Sequence, residues 1–297
     1  MYIKTLTYLI GVVSVTIISL PSFAGALKSK ISYQYSHNNN VMNAYKQSEQ
    51  LGDQQHSLSA STSYAWQISQ GKKLNLSAEI SRNQQQKYSM LDNTQVELGL
   101  WYGWQNNFSY LAPFYIASVK LSKINSESYA RDANKIDLTF VWNKRVTDLT
   151  QIRAGLSHSY QDAKNKVFEQ NISQSFAQLE YQLTNSWQLH SRFNYAIGEL
   201  IGSKSTAYCK DGEEVSAADY QGDYNYQWYD YHINQNLCGH WYSYNYDGRY
   251  YAGQLTAQYQ RNAHKLSAKF KRYWVHADNS NTSYQKNEVS LSYTYKF

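Results

Sequence analysis

Histidines, cysteines and recurring basic residues are where this chain could do chemistry, and their spacing limits what that chemistry can be. No Gly-x-Ser-x-Gly turn is present to deliver a nucleophilic serine. His158 is followed by Ser159, but it falls in the apolar phase of its segment, and His190 lies low on a polar phase. His232 and His240 stand near Asp230 in a long connection and are read as solvated loop histidines rather than metal ligands. Cys209 and Cys238 show neither a metal spacing nor a haem attachment site. The expectation is therefore no enzyme, no catalytic residue, no metal and no cofactor. What remains is ionic. Lys120, Arg153, Arg192, Lys269 and Lys271 recur on the wet phase of alternating segments, where clustered positive charge would draw in anions.

The elements that position these residues are strands. Apolar and polar residues alternate over segment after segment, as in Leu58, Ala60, Tyr64, Trp66 and Ile68 against Ser57, Ser59, Ser61 and Ser63. About twelve such strands can be read, with tight turns such as 69–73 at one end and longer connections (38–55, 83–92, 122–134) at the other. The fifth strand is hardest to phase, because residues 108–121 are apolar on both faces; it is started at Pro113, which an edge or first position tolerates. With 30 Tyr and 8 Trp against 2 Pro, the composition favours strands and interfaces. A mean hydropathy of -0.67 is what a wall with only alternate residues in lipid would give.

The N-terminus carries Lys4, an apolar stretch and then Ser22 and Ala24, the layout of a secretory signal over residues 1–24; cleavage after Ala24 or after Ala26 fits equally. The barrel domain is then 25–297. In an exported chain the default reading of Cys209 and Cys238 is a disulfide, worth about 3–4 kcal/mol in the chain-entropy model.

The chain ends on Val289, Leu291, Tyr293, Tyr295 and Phe297, alternating with Glu288, Ser290, Ser292, Thr294 and Lys296. This ending resembles the closing strand of Gram-negative outer-membrane β-barrels, in which a terminal aromatic with aromatics at alternate positions (here Tyr293, Tyr295 and Phe297) is the assembly signal; the glycine often found five residues before the end is Ser292. The resemblance implies an all-β fold, an antiparallel up-and-down transmembrane barrel in the outer membrane, with outer-membrane lipid, lipopolysaccharide and the barrel-assembly machinery as partners and no nucleic acid. The His-x-Ser-Asn-Gly arrangement of barrel phospholipases is absent. Threading from a periplasmic N-terminus then puts Trp66, Trp104, Trp142, Tyr181, Trp187, Tyr259 and Phe297 at one rim and Tyr35, Tyr160, Tyr195, Tyr251 and Trp274 at the other, two aromatic girdles.

Alternation stops over 198–248. This long connection holds both cysteines and many aromatics, with Trp228, Tyr229, Tyr231, Trp241 and Tyr242 as candidates for stacking on sugars; the alternative is a packed cap in which they form their own small core. Two lysines against eight carboxylates leave the loop at −6, whereas the rest of the exported chain stands at +11. Strand number and basic lumen resemble the small porins for acidic oligosaccharides. The expected function is a channel for small anionic or oligosaccharide solutes, the alternative a closed barrel that binds a partner through its loop.

Overall fold

In a computed structural model the chain is described over residues 25–205, 207–210, 213–216, 225–237, 240–278 and 283–297. The expected signal peptide lies outside these residues. Fifteen strands follow in chain order: β1 (Gly25–Asn38), β2 (Asp53–Ser69), β3 (Lys72–Gln85), β4 (Asn93–Trp104), β5 (Phe114–Ser126), β6 (Ala133–Arg145), β7 (Thr150–Ala163), β8 (Gln170–Gln182), β9 (Trp187–Ser205), β10 (Ala207–Lys210), β11 (Glu213–Ser216), β12 (Tyr226–Tyr229), β13 (Trp241–Arg261), β14 (His264–Ala277) and β15 (Ser283–Lys296). Twelve of them, β1 to β9 and β13 to β15, pair antiparallel with their neighbours and close into a barrel.

Closure is made at the seam where β15 meets β1, from Lys30 opposite Lys296 to Asn38 opposite Glu288. The amide of Phe297 extends the ladder by donating to the Ser29 carbonyl at 2.9 Å. With the seam paired, the barrel wall has no free edge, and backbone amides can sit in a bilayer with every partner internal.

Alternation then sorts the side chains. Outward positions carry large apolar residues that stay exposed, among them Leu27, Leu58, Ile80, Leu98, Leu156, Leu255 and Leu291. In water such a surface would be an aggregation liability; as a belt around a closed barrel it is the lipid contact of an outer-membrane protein. The girdles form as expected: Tyr102, Trp104, Tyr115 and Phe140 stack in a row at the periplasmic side, with Trp187 beside Tyr259, and Tyr195 meets Tyr251 at the outer side.

The ambiguous fifth strand has a physical explanation. β5 starts at Phe114, one residue after Pro113, and its second apolar phase faces the lumen, where Phe114 lies with Trp101 against Gly103. A side chain on Gly103 would sit 2.5 Å from the Phe114 ring, so the glycine makes room for it.

Outside the bilayer the connections are built, not loose. Single 3₁₀ turns at Gln47–Glu49, Ser89–Leu91, Tyr129–Arg131 and Lys166–Phe168 shape the four loops on the outer side of β1 to β8. Acidic side chains lock two of them back onto the strand below: the Gln85 amide donates to Asp92, and the Ser126 amide to Asp132.

The sequence puts the end of the ninth strand at Ile197 and the start of its partner at Tyr251, but the ladder runs on. β9 continues to Ser205 and β13 begins at Trp241, paired from Gly198 opposite Gly248 to Ser205 opposite Trp241. Alternation fails there because both faces of the extension are covered by protein: Leu200, Ser203, Tyr244 and Tyr246 are all buried. Gly198 marks the transition, with φ at +141° and its open side pressed against the Asn171 carbonyl. Gly198→Ala is expected to destabilise the barrel by more than about 1 kcal/mol, through backbone strain and a clash with Asn171 together, measured as a lower urea midpoint for the refolded protein in lipid vesicles.

Candidate functional site

Two structures lie along the axis of the barrel: a lumen with two unlike walls, and a cap over its outer mouth. The lumen wall on β4 to β8 is partly aromatic, with Trp101, Phe114 and Phe176 beside Gly103 and Gly155, which leave space for the rings. Its charges are paired. Lys120 meets Glu97 at 2.7 Å, Lys135 meets Asp137 at 3.0 Å, and Arg153 meets Glu180 at 3.1 Å. His190 also reaches Glu180, at 3.8 Å. Two of the expected selectivity residues, Lys120 and Arg153, are thus neutralised by neighbours on adjacent strands.

Across the lumen the balance changes. Arg192, Gln254, Lys271 and Glu288 share one row over β9, β13, β14 and β15. Glu288 is engaged by Lys269 at 3.0 Å, and among the described residues no carboxylate lies within ion-pair distance of Lys271 or Arg192. Aromatic faces hold these cations instead. The Arg192 guanidinium lies 3.8 Å over Phe176, and the Lys271 ammonium 4.2 Å over Tyr273, whose ring also takes Lys286 at 4.7 Å. Tyr250 packs edge-on against Tyr273 and donates to Gln174. Lys286, Tyr250 and Tyr273 escape the sequence reading because they sit above the last clean alternation, near Gly248. The signal that could have found them is the inward parity of 284, 286 and 288.

The cap grows from the extension of β9 and β13. β12 takes over the free edge of β13, pairing Tyr226 with Asn245 and Tyr229 with Tyr242, and leads into a short helix, α1 (Tyr231–Asn236). Asp230 caps α1 by accepting the Ile233 amide at 3.1 Å. Its other oxygen accepts from Arg131 and from the Ser243 hydroxyl, each at 2.9 Å, and the carboxylate is fully buried. Arg131 comes from the β5–β6 loop and stacks 4.2 Å over Phe168 from the β7–β8 loop, which in turn meets Trp228 edge-on. Burial lowers the pKa of Arg131 and the Asp230 charge opposes that shift; an arginine keeps its proton regardless.

On the far side, Ile233 and Trp241 pack with Met42 of the β1–β2 loop and Met90 of the β3–β4 loop. The Ser203 amide donates to Met42, and Asn43 ties to the Ile201 carbonyl while accepting Lys286. A hairpin rooted between β9 and β13 that touches all of these loops must cross the mouth. The described part of the long loop, β12 and α1, therefore lies over the mouth. Of its candidate stacking residues, Trp241 is core and Trp228 is held by Phe168, whereas Tyr229 and Tyr231 remain exposed and Tyr242 is half-buried against Tyr229. Trp241, Tyr244 and Tyr246 are buried, as in the packed-cap alternative, whereas Tyr226, Tyr229 and Tyr231 are exposed.

The disulfide expected between Cys209 and Cys238 gains no support, because Cys238 and the side chain of Cys209 lie outside the described residues. His232 and His240 lie against Tyr231 and Tyr229. Among the described residues no three His, Cys, Asp or Glu side chains gather as a metal site. His158 bonds to Ser173 across the strands, not to its neighbour Ser159.

No family model matches the chain, and no curated protein matches it by sequence. Among solved structures, an outer membrane channel from Pseudomonas putida F1 is similar at a TM-score of 0.54 and 14% identity, over 94% of this chain and 97% of that one. The KdgM porin, solved with disordered oligogalacturonate, has a TM-score of 0.45 at 7% identity over 90% and 99% of the two chains. The NanC porin stands at 0.42 and 11%, over 92% and 100%. The likeness to the first establishes the fold: this chain is a twelve-stranded outer-membrane β-barrel.

Removing the buried anion tests the cap. Asp230→Ala strands Arg131 without its partner, and loss of one member of a buried pair costs about 3–5 kcal/mol; protease cleavage and amide exchange within 225–245 are expected to rise sharply while the barrel strands stay protected.

Acid should act in the opposite sense. Glu49 is buried under the cap; burial raises its carboxyl pKa, with Lys46, then the Ser205 amide it accepts, then Lys204 partly offsetting. Asp92 in the next loop is raised for the same cause, against the Gln85 amide and Arg82. A raised carboxyl favours the folded state below the ordinary carboxylate range and loses that contribution as pH climbs through its folded value. Amide protection relative to the intrinsic exchange rate in 39–52 and 200–205 is expected to rise on going from pH 7 toward pH 4, and Glu49→Gln should flatten the response.

Proposed function

We propose that this barrel is a channel for small anionic solutes, with sugar acids as the class that fits best, and that the cap is its gate. The observation that carries this reading is the cationic row on β9 and β14. Arg192 and Lys271 face the lumen with no carboxylate partner among the described residues, and Lys286 joins them one row higher. Buried cations without counterions are costly to keep unless something anionic visits them. Positive charge inside a low-dielectric tube raises the local anion concentration and lowers the barrier to entry.

The rings set among the cations refine the class. Tyr250, Tyr273 and Phe176 offer flat faces beside Lys271 and Arg192. A solute with a carboxylate and a weakly polar face, such as an acidic sugar, would meet both. Lys269, Lys120 and Arg153 belong to the same lining, but each spends its charge on Glu288, Glu97 or Glu180, so their part is to set the width of the passage and its background field.

The packing of the cap across the mouth favours a gated resting state. It also gives weight to a second reading, a closed barrel that binds a partner through Tyr226, Tyr229 and Tyr231, which the cap presents outward.

Planar-bilayer recording separates the two. Wild-type protein is expected to open rarely and Asp230→Ala often, both with reversal potentials on the anion side. Lys271→Ala should reduce the anion-to-cation permeability ratio severalfold without changing the open rate. Silence in wild type and in Asp230→Ala alike would overturn the channel reading and leave the tyrosine surface as the function.

A further inference from the structure

One lysine belongs to the lumen and to the outer loops at once. Lys286 stands on β15 opposite Tyr273 of β14, and its ammonium lies 4.7 Å over the Tyr273 ring. Lys271 faces the same ring from the row below, at 4.2 Å. The Lys286 ammonium also donates to the Asn43 side-chain oxygen of the β1–β2 loop at 2.8 Å. Two cations therefore share one ring, and one of them is held by a neutral amide.

Asn43 sits where that loop grips the cap. It takes a φ of 53°, a left-handed backbone that asparagine tolerates better than most residues. Buried Asn40 closes the turn around it, accepting the Ala44 amide at 2.9 Å and donating to the Ala44 carbonyl at 2.7 Å. The Asn43 side chain then reaches two ways, donating from Nδ2 to the Ile201 carbonyl of β9 at 3.0 Å while Oδ1 accepts Lys286. Beside it the Ser203 amide donates to the Met42 carbonyl at 2.9 Å. Gly202 allows this approach, since a Cβ there would lie 3.1 Å from the Asn43 carbonyl oxygen. Lys286 is thus bound at the contact between the β1–β2 loop and the β9 extension from which the cap grows.

A neutral carbonyl is a weaker partner for an ammonium than a carboxylate is. An anion arriving beside Lys271 competes with Asn43 for Lys286, and differential binding of this kind is what shifts a gate between its states. We propose, resting on the channel reading above, that a carboxylate solute controls the cap: bound by Lys271 and Lys286, it draws Lys286 off Asn43 and loosens the β1–β2 loop from β9. Linkage makes the effect reciprocal, so the open cap holds the solute more tightly than the closed one.

Hydrogen exchange of the full barrel in lipid vesicles at pH 7 reads this latch without requiring current. Sodium glucuronate, replacing sodium chloride at constant ionic strength, is the probe. In wild type, exchange in 39–45 and 200–205 is expected to quicken about tenfold at saturating glucuronate, as loss of one charge-assisted hydrogen bond implies. Lys286→Met and Asn43→Gly, the second of which keeps the left-handed turn, should exchange at the faster rate from the start and gain nothing from glucuronate. Lys271→Ala should need about tenfold more glucuronate for the same response, having lost one cationic partner. Each variant is first checked for a closed barrel by its heat-dependent electrophoretic shift. No effect of glucuronate on wild-type exchange would overturn the coupling, and anion-selective current recorded alongside would leave the channel reading standing. Loosening that persists in Lys286→Met would overturn it too, by placing the solute elsewhere. Loosening that depends on Lys286, in a barrel that passes no current, would uphold the coupling and sink the channel reading; longer wild-type openings in glucuronate would uphold both.

Discussion

A backbone that crosses a bilayer has no water to turn to, so each amide must find its partner inside the protein. In this chain that constraint reduces to one seam. If β15 did not pair with β1, two strands would present bare edges to lipid, and no arrangement of side chains could make up for them. The seam is the shortest ladder in the barrel, with Tyr33 opposite Tyr293 and Ile31 opposite Tyr295 on the lipid side and Ser32 bonded to Thr294 on the inner side. Everything else, from the outward belt to the cap, presupposes that the cylinder is closed.

Once closed, the barrel separates three environments along each strand, and the residues change character with them. In the bilayer the outer face is apolar and the inner face polar. Above Gly198 and Gly248 the same strands enter a region where protein covers both sides, and the rule of alternation lapses although the ladder continues. The cap is therefore a small globular unit built on a membrane scaffold. Its core is apolar around Ile233 and Trp241, and the buried carboxylate of Asp230 is shared among a helix N-terminus, a serine and an arginine from another loop.

Inside, the division of the lumen into a paired wall and an unpaired wall follows from register. Glu97, Asp137 and Glu180 each fall within reach of a basic residue on the same or the next strand, so their charges cancel. Glu288 can serve only one of the two lysines on its neighbour, and it serves Lys269. The residual field comes from this arithmetic of neighbours and not from the overall count of basic residues, which would have credited Lys120 and Arg153 equally with Lys271.

Much of this protein was legible in the residues alone, because a membrane barrel writes its fold in period two. The twelve strands, the outward face of each and both aromatic girdles follow from alternation, since each position's face is decided by parity and not by distant partners, and the closing role of 289–297 is implied by its resemblance to the last strand of outer-membrane barrels. The polar character of the lumen follows in the same way. What parity cannot say is which charges meet, and so the neutralised pairs and the free row on β9 and β14 required the register between strands. Nor can it speak where both faces are buried: the extension of β9 and β13, the roles of Arg131, Met42, Met90 and Phe168, and the direction in which the long loop folds were decided by contacts between loops far apart in the chain. The same holds for His158 and Ser173. They are fifteen residues apart in sequence, and only the pairing of β7 with β8 makes them neighbours on the lipid face.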